Sequence, residues 1–178
     1  ECEHPRKGCY EKITNDRGIW ALLRRRTRED STGAKATSVE EISEASRHFI
    51  RPAHFLCILC TMDKQEPLVE DNLVELRKRM EENPEVPVTL TEGCCMVCPP
   101  CNFYHPDEHI CYRAHVKNQL RDLILLERLG LKPGETLPAR EVYRLIYEKV
   151  GSLREICGWG DELSTAPFWS PCGSGKDD

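Results

Sequence analysis

Five of the eleven cysteines in this 178-residue chain fall between Gly93 and Cys111. The stretch reads Gly93-Cys94-Cys95-Met96-Val97-Cys98-Pro99-Pro100-Cys101, and Cys111 follows after nine intervening residues. It carries neither the 3.6-residue period of an amphipathic helix nor the two-residue period of a strand. Such a segment cannot hold itself together by burying apolar surface. Its thiols must be tied by a metal ion, an iron–sulfur cluster or disulfides.

The wider cysteine pattern favours reduced thiols. An export framework normally shows an even count, whereas eleven is odd, and the opening residues have no signal-peptide pattern. Several C-x-x-C spacings point to ligation in a reducing compartment, so a cytoplasmic location is expected. A length of 178 residues suits one domain with a core of its own. A net charge of −5 argues against a nucleic-acid face, and no apolar run is long enough to span a bilayer.

Along the chain, Asn15 or Asp16 is placed to cap a helix to about Thr27, its end marked by the basic run Arg24-Arg25-Arg26. Residues 30–37 read as a linker or mobile loop. Ser38-Val39-Glu40-Glu41 is a capping box that should open a short helix. Pro52 suits the first turn of a buried apolar helix that carries His54, Cys57 and Cys60. Val69, Leu73, Leu76 and Met80 recur at helical spacing from Glu66 to Glu82. Pro87 in Val86–Leu90 suggests an edge strand. A helix from Arg113 to Leu129 is expected to carry Val116, Leu120, Leu123 and Leu126 or Glu127 along one side and to stop at Gly130. Thr136-Leu137-Pro138 should open a further helix from Ala139 to Val150, with Val142, Leu145 and Ile146 inward. Trp159, Phe168, Trp169 and Cys172 suggest a docked tail. The expected fold is mainly α: a small helical domain, with at most a minor β element, whose long cysteine-rich loops are organised around a metal centre. It forms a single domain over 1–178, with a core at 38–150. The cysteine-bearing extensions 1–30 and 151–178 pack on that core.

Cys98-Pro-Pro-Cys101 supplies two thiols from one turn, and Cys111 stands near the start of the next helix, where the dipole stabilises a thiolate. Cys57 can reach the same place from the buried helix. Four thiolates from three segments suit zinc or a four-iron cluster. The pair Cys57/Cys60 and Cys98/Cys101 resembles two zinc knuckles, although the gap between them is long. Cys95-x-x-Cys98-x-x-Cys101 is nearer the run found in bacterial ferredoxins, without the C-x3-C-P that follows there. His54 lies one turn before Cys57 and is a candidate ligand, a donor to cluster sulfur or a proton carrier. Paired with Cys57 it is also a candidate for thiol catalysis. Cys101, His105 and His109 offer a mixed zinc set, against which Pro106 and Asp107 favour a loop. Arg121 and Asp122 read as a helix-face pair or as caps of the cysteine loop, and Arg51 with Arg121 as an anion site.

Arg51-x-x-His54-x-Leu56-Cys57, followed by Cys98-x-x-Cys101, Cys111 and Arg121-Asp122 before Leu129-Gly130-Leu131, resembles the prokaryotic family called domain of unknown function 1284 over about residues 50–135. That family opens with R-x-H-H-L-L-C, has a D-D-I-C segment and carries R-D on a later helix. The resemblance implies metal or iron–sulfur binding and assigns no reaction. It makes Cys57, Cys98, Cys101 and Cys111 the first ligand set. His54 and Arg51 are separate candidates for contact with the cofactor. Phe55 replaces the family's second histidine, Cys94-Cys95 stands where acidic residues are usual, and both ends are extended.

Cys2, Cys9, Cys157 and Cys172 lie in the extensions and could form a second metal site that staples the termini to the core. Three functions follow. The first is an iron–sulfur protein with one or two [4Fe–4S] clusters, working with a redox partner protein or on an unknown small substrate. The second is a zinc-binding interaction module, and the third a thiol enzyme. No phosphate-binding loop, paired-carboxylate motif or Ser-His-Asp signature appears.

Overall fold

The computed structural model describes residues 26–62, 65–111 and 115–157. Among these, six helices and five short strands are formed. The first helix, α1 (Arg28–Glu44), covers the residues expected to be a linker. Its start is set by a capping box at Thr27, about three turns before the one expected at Ser38. Thr27 Oγ1 accepts from the Asp30 amide and Asp30 Oδ2 accepts from the Thr27 amide, both at 3.1 Å. Only Ser31, Ser38 and Ile42 of α1 are buried, so its sequence shows no apolar stripe.

After β1 (His48–Ile50), Pro52 does open α2 (Pro52–Leu59), an almost wholly buried helix. Helix α3 (Leu73–Glu82) begins later than Glu66; Val69 is exposed, and the buried face is Val74, Leu76, Arg77 and Met80. Strand β2 (Pro87–Leu90) is central rather than an edge, because Pro87 occupies the first strand position, where a missing amide costs little. It runs parallel to β1, with Ile50 opposite Leu90, and antiparallel to β5 (Thr136–Pro138), with Val88 opposite Leu137. The α2–α3 pair forms the crossover that two parallel strands require.

Between β2 and β5 come the hairpin β3 (Tyr104–His105) and β4 (Ile110–Cys111), then α4 (His115–Leu129). Helix α4 buries Arg121, Asp122, Leu125, Leu126 and Leu129, and leaves Leu120 and Leu123 exposed, so its inward face is rotated from the one expected. Gly130 ends it with φ of 74°. The Leu131 amide bonds the Leu126 carbonyl at 2.9 Å, and Lys149 Nζ bonds the Leu129 carbonyl at 2.6 Å. Residues 136–138 are strand rather than helix start. The following α5 (Ala139–Lys149) buries Val142, Leu145 and Ile146 as expected, and α6 (Leu153–Cys157) packs Ile156 inward.

These elements enclose an apolar core of Ile50, Phe55, Leu56, Ile58, Leu76, Met80, Val88, Leu90, Leu125 and Ile146. Cys95, Val97 and Cys98 belong to the same cluster. The cysteine loop is therefore seated on a conventional core instead of replacing one. Among the described residues, no helix is long and apolar enough to cross a membrane.

Candidate metal centre

The loop after β2 would leave many backbone groups without strand or helix partners. It satisfies them by turning on itself and by leaning on β1. Amides of Cys98, Cys101 and Tyr104 bond the carbonyls of Cys95, Cys98 and Cys101 in three successive turns of 2.8–3.1 Å. Gly93, with φ of 75°, supplies the left-handed residue that lets the chain enter them. The Met96 amide bonds the Phe49 carbonyl at 3.1 Å, so the loop covers the outer edge of the sheet. Asn72, fully buried, donates through Nδ2 to the Met96 carbonyl at 2.8 Å and to Ser38 Oγ at 2.9 Å. One side chain thus ties the loop to α1 and α3.

On the opposite side stands the first turn of α2. Its leading residue, Arg51, makes no side-chain cap, and a carboxylate from α4 does that work instead. Asp122 Oδ1 accepts from the Ala53 amide at 2.8 Å, while Asp122 Oδ2 lies 3.0 Å from Arg51 Nε. Asp122 therefore fixes both the start of α2 and the buried Arg51, and with them the direction of His54. Arg121, also buried, donates to the Cys157 carbonyl. Arg121 and Asp122 join α4 to α6 and α2 respectively.

Loop and helix meet at three donor atoms. His54 Nδ1 is 3.0 Å from Cys95 Sγ, the Cys95 amide points at Cys98 Sγ from 3.4 Å, and the ligand atoms of His54, Cys95 and Cys98 all lie within 4.8 Å of one another. That trio could hold a metal ion. Of the residues expected from the sequence, His54 and Cys98 are in it. Cys95, whose role the spacing left open, is the third. Cys57, Cys101 and Cys111 are not in this group, though each is half-buried and unbridged. His105 and His109 sit in the hairpin turn: His105 Nδ1 accepts from the Glu108 amide and His109 Nδ1 meets the Tyr104 hydroxyl. Of the four cysteines expected to form a second site, Cys157 ends α6, while Cys2, Cys9 and Cys172 lie outside the described residues. The helix expected before Thr27 and the tail aromatics also lie outside them.

Hydrogen bonding sets the charge distribution. Cys94 and Cys95 thiols donate to Cys98, which holds the Cys98 thiol well below its usual range despite burial, and His54 adds to the effect. Cys95 is pushed up by burial and by that same bond, and Cys94 by its bond to Cys98 and by burial. Negative charge thus concentrates on Cys98. Burial alone would lower the Arg51 pKa, but Asp122 and the thiols of Cys95, Cys98 and Cys111 raise it overall. The buried Arg51 side chain is thus within electrostatic reach of Cys95, Cys98 and Cys111. Asp122 itself is pushed up by burial, against the opposing pull of Arg51. A residue supplying such a brace from a distant helix has no spacing signal; only the adjacency of Arg121 and Asp122 in a helical stretch hints at it.

No curated protein and no solved structure matches the chain. A family model does match, over residues 67–161. The stretch includes the cysteine loop, Arg121, Asp122 and Cys157, and begins after Arg51–Cys57, so His54 comes from outside it. It spans more than half of the chain, and the protein belongs to the family described as Protein of unknown function (DUF1284).

Proposed function

We propose that this protein binds one transition-metal ion, zinc being best suited, through His54 Nδ1, Cys95 Sγ and Cys98 Sγ. The observation that carries the reading is the mutual approach of these three atoms within 4.8 Å, from elements held in place by Asp122 and Asn72. A tetrahedral zinc ion with ordinary bond lengths needs sulfur pairs at about 3.8 Å and nitrogen–sulfur pairs at about 3.5 Å. Thiolates on separate irons of a cluster stand farther apart. One imidazole and two thiolates leave the fourth position for an exchangeable molecule, the pattern of catalytic rather than structural zinc. When bound, the ion supplies Lewis acidity at that position. The chain's own residues do the rest. Cys98 would offer one thiolate and Cys95, as a metal ligand, a second; Arg51 would balance the thiolate charge, and Asp122 keeps α2 and His54 in place. Unbridged thiols suit a reducing compartment such as the cytoplasm.

A second reading is a [4Fe–4S] cluster on Cys57, Cys98, Cys101 and Cys111, working with a redox partner protein. In its favour, Cys111 acts on Arg51 together with Cys95 and Cys98, so sulfur gathers beyond the trio, beside a buried cation that would offset cluster charge. Metal and sulfide analysis after anaerobic purification separates the two. Zinc near one per chain without sulfide, lost in Cys95→Ser and kept in Cys57→Ser, supports the first. Iron with equal sulfide, lost in Cys57→Ser, supports the second. Absence of either metal at stoichiometric level refutes both.

A further inference from the structure

A cavity of about 240 Å³ opens beside the candidate metal centre, lined in part by Glu41, Phe49, Cys94, Cys95, Tyr104 and His109. We propose that it is the chamber for a small aminothiol, whose sulfur completes the coordination of the metal and whose ammonium group meets Glu41 and the Tyr104 hydroxyl. This deepens the metal reading and rests on it.

Four observations lead there. Cys95 belongs both to the donor trio and to the cavity wall, so a molecule inside lies beside the donor atoms. The volume is below that of drug-sized pockets and about eight times the share of one water molecule in the liquid, which suits a small metabolite. Among the lining residues, Glu41 is the one carboxylate, and neither lysine nor arginine is present. Arg26, close enough to act on Tyr104, has its guanidinium turned to the Pro99 and Asp30 carbonyls. The wall therefore favours a cation over an anion.

The fourth observation is the Tyr104–His109 pair. Their hydroxyl and Nδ1 are 2.6 Å apart, and His109 is held at φ of 52°, the one described non-glycine residue in the left-handed region. That conformation is costly for a side-chain-bearing residue and is held where a site needs it. Whichever of the two donates, a lone pair on the Tyr104 oxygen remains to accept from an ammonium group. The aromatic side chains of Phe49 and Tyr104 line the same cavity, where a cation can meet a ring. A soft sulfur donor suits an ion held by two thiolates.

The test uses full-length protein loaded with cobalt(II), whose ligand-field bands report each change of ligand. Cysteamine, 2-mercaptoethanol and thioglycolate, alike in size but cationic, neutral and anionic, are titrated in. The expected result is a saturable band shift, with cysteamine preferred over thioglycolate by roughly fivefold, the upper end for one charge contact at an exposed site. Glu41→Gln, on an exposed position of α1, brings the two affinities together, and Tyr104→Phe weakens cysteamine more than thioglycolate. Intact thiolate-to-cobalt charge transfer with no response to any thiol overturns the proposal and leaves the metal reading standing. Equal affinities in the unmodified protein, or a preference unchanged by Glu41→Gln, overturns it as well. Absence of charge transfer on cobalt loading removes the metal reading, and the proposal with it.

Discussion

Replacing Asp122 by Ala tests how the site is held. Asp122 and Arg51 are paired across the α4–α2 contact with side chains 9% and 5% exposed, so solvent screening offers little relief. Removing the carboxylate leaves the guanidinium buried without its counter-charge, which costs about 3–5 kcal/mol. The Ala53 amide also loses its acceptor, worth about 1 kcal/mol as a helix cap. Asp122→Ala should therefore lower the stability of unfolding by about 4 kcal/mol or more, read by urea denaturation at neutral pH. Asp122→Asn keeps an acceptor for Ala53 but loses the charge, and should cost less. The double variant Arg51→Met, Asp122→Leu removes both charges and should be far more stable than Asp122→Ala alone, because only the cap is lost. A cost below 1 kcal/mol for Asp122→Ala, or a double variant less stable than the single one, would refute the argument that this pair braces α2.

Other predictions address separate parts of the structure. His48 is fully buried and its pKa is lowered, first by burial and then by Arg79. A base with a depressed folded pKa contributes stability that is complete above its unfolded value of 6.5 and is lost as pH falls below it. Denaturation midpoints should therefore drop on acidification from pH 7, and His48→Leu should flatten that slope. Asn72→Ala leaves the Met96 carbonyl without its side-chain donor and should cost about 1–3 kcal/mol, with faster amide exchange in the loop around Met96. Gly130→Ala meets nothing closer than Lys149 Nζ at 3.5 Å, so its cost is conformational alone, about 1–2 kcal/mol by thermal unfolding.

What could be read from the sequence was local. Pro52, Gly130 and the Val142/Leu145/Ile146 stripe each act through contacts a few residues away, and each does what its chemistry indicates. Helix α1 was hidden because its core contribution is two serines and one isoleucine, and the capping pair Thr27/Asp30 was the signal that mattered. The inward face of α4 was hidden because it includes Arg121 and Asp122, polar residues buried against the Cys157 carbonyl and Arg51. Candidate donors were visible as thiols and a histidine. Which of them meet depends on how the loop crosses β1. That crossing directs Cys95 toward His54, a long-range choice that spacing cannot encode.

X-ray absorption at the metal edge of protein loaded with one equivalent of zinc tests the central claim most directly. The account predicts two sulfur neighbours at about 2.3 Å and at least one imidazole nitrogen at about 2.0–2.1 Å. In His54→Ala the nitrogen signal should fall, and in Cys98→Ser one sulfur should be lost. Four sulfur neighbours with no imidazole, or a spectrum unchanged in both variants, would contradict it.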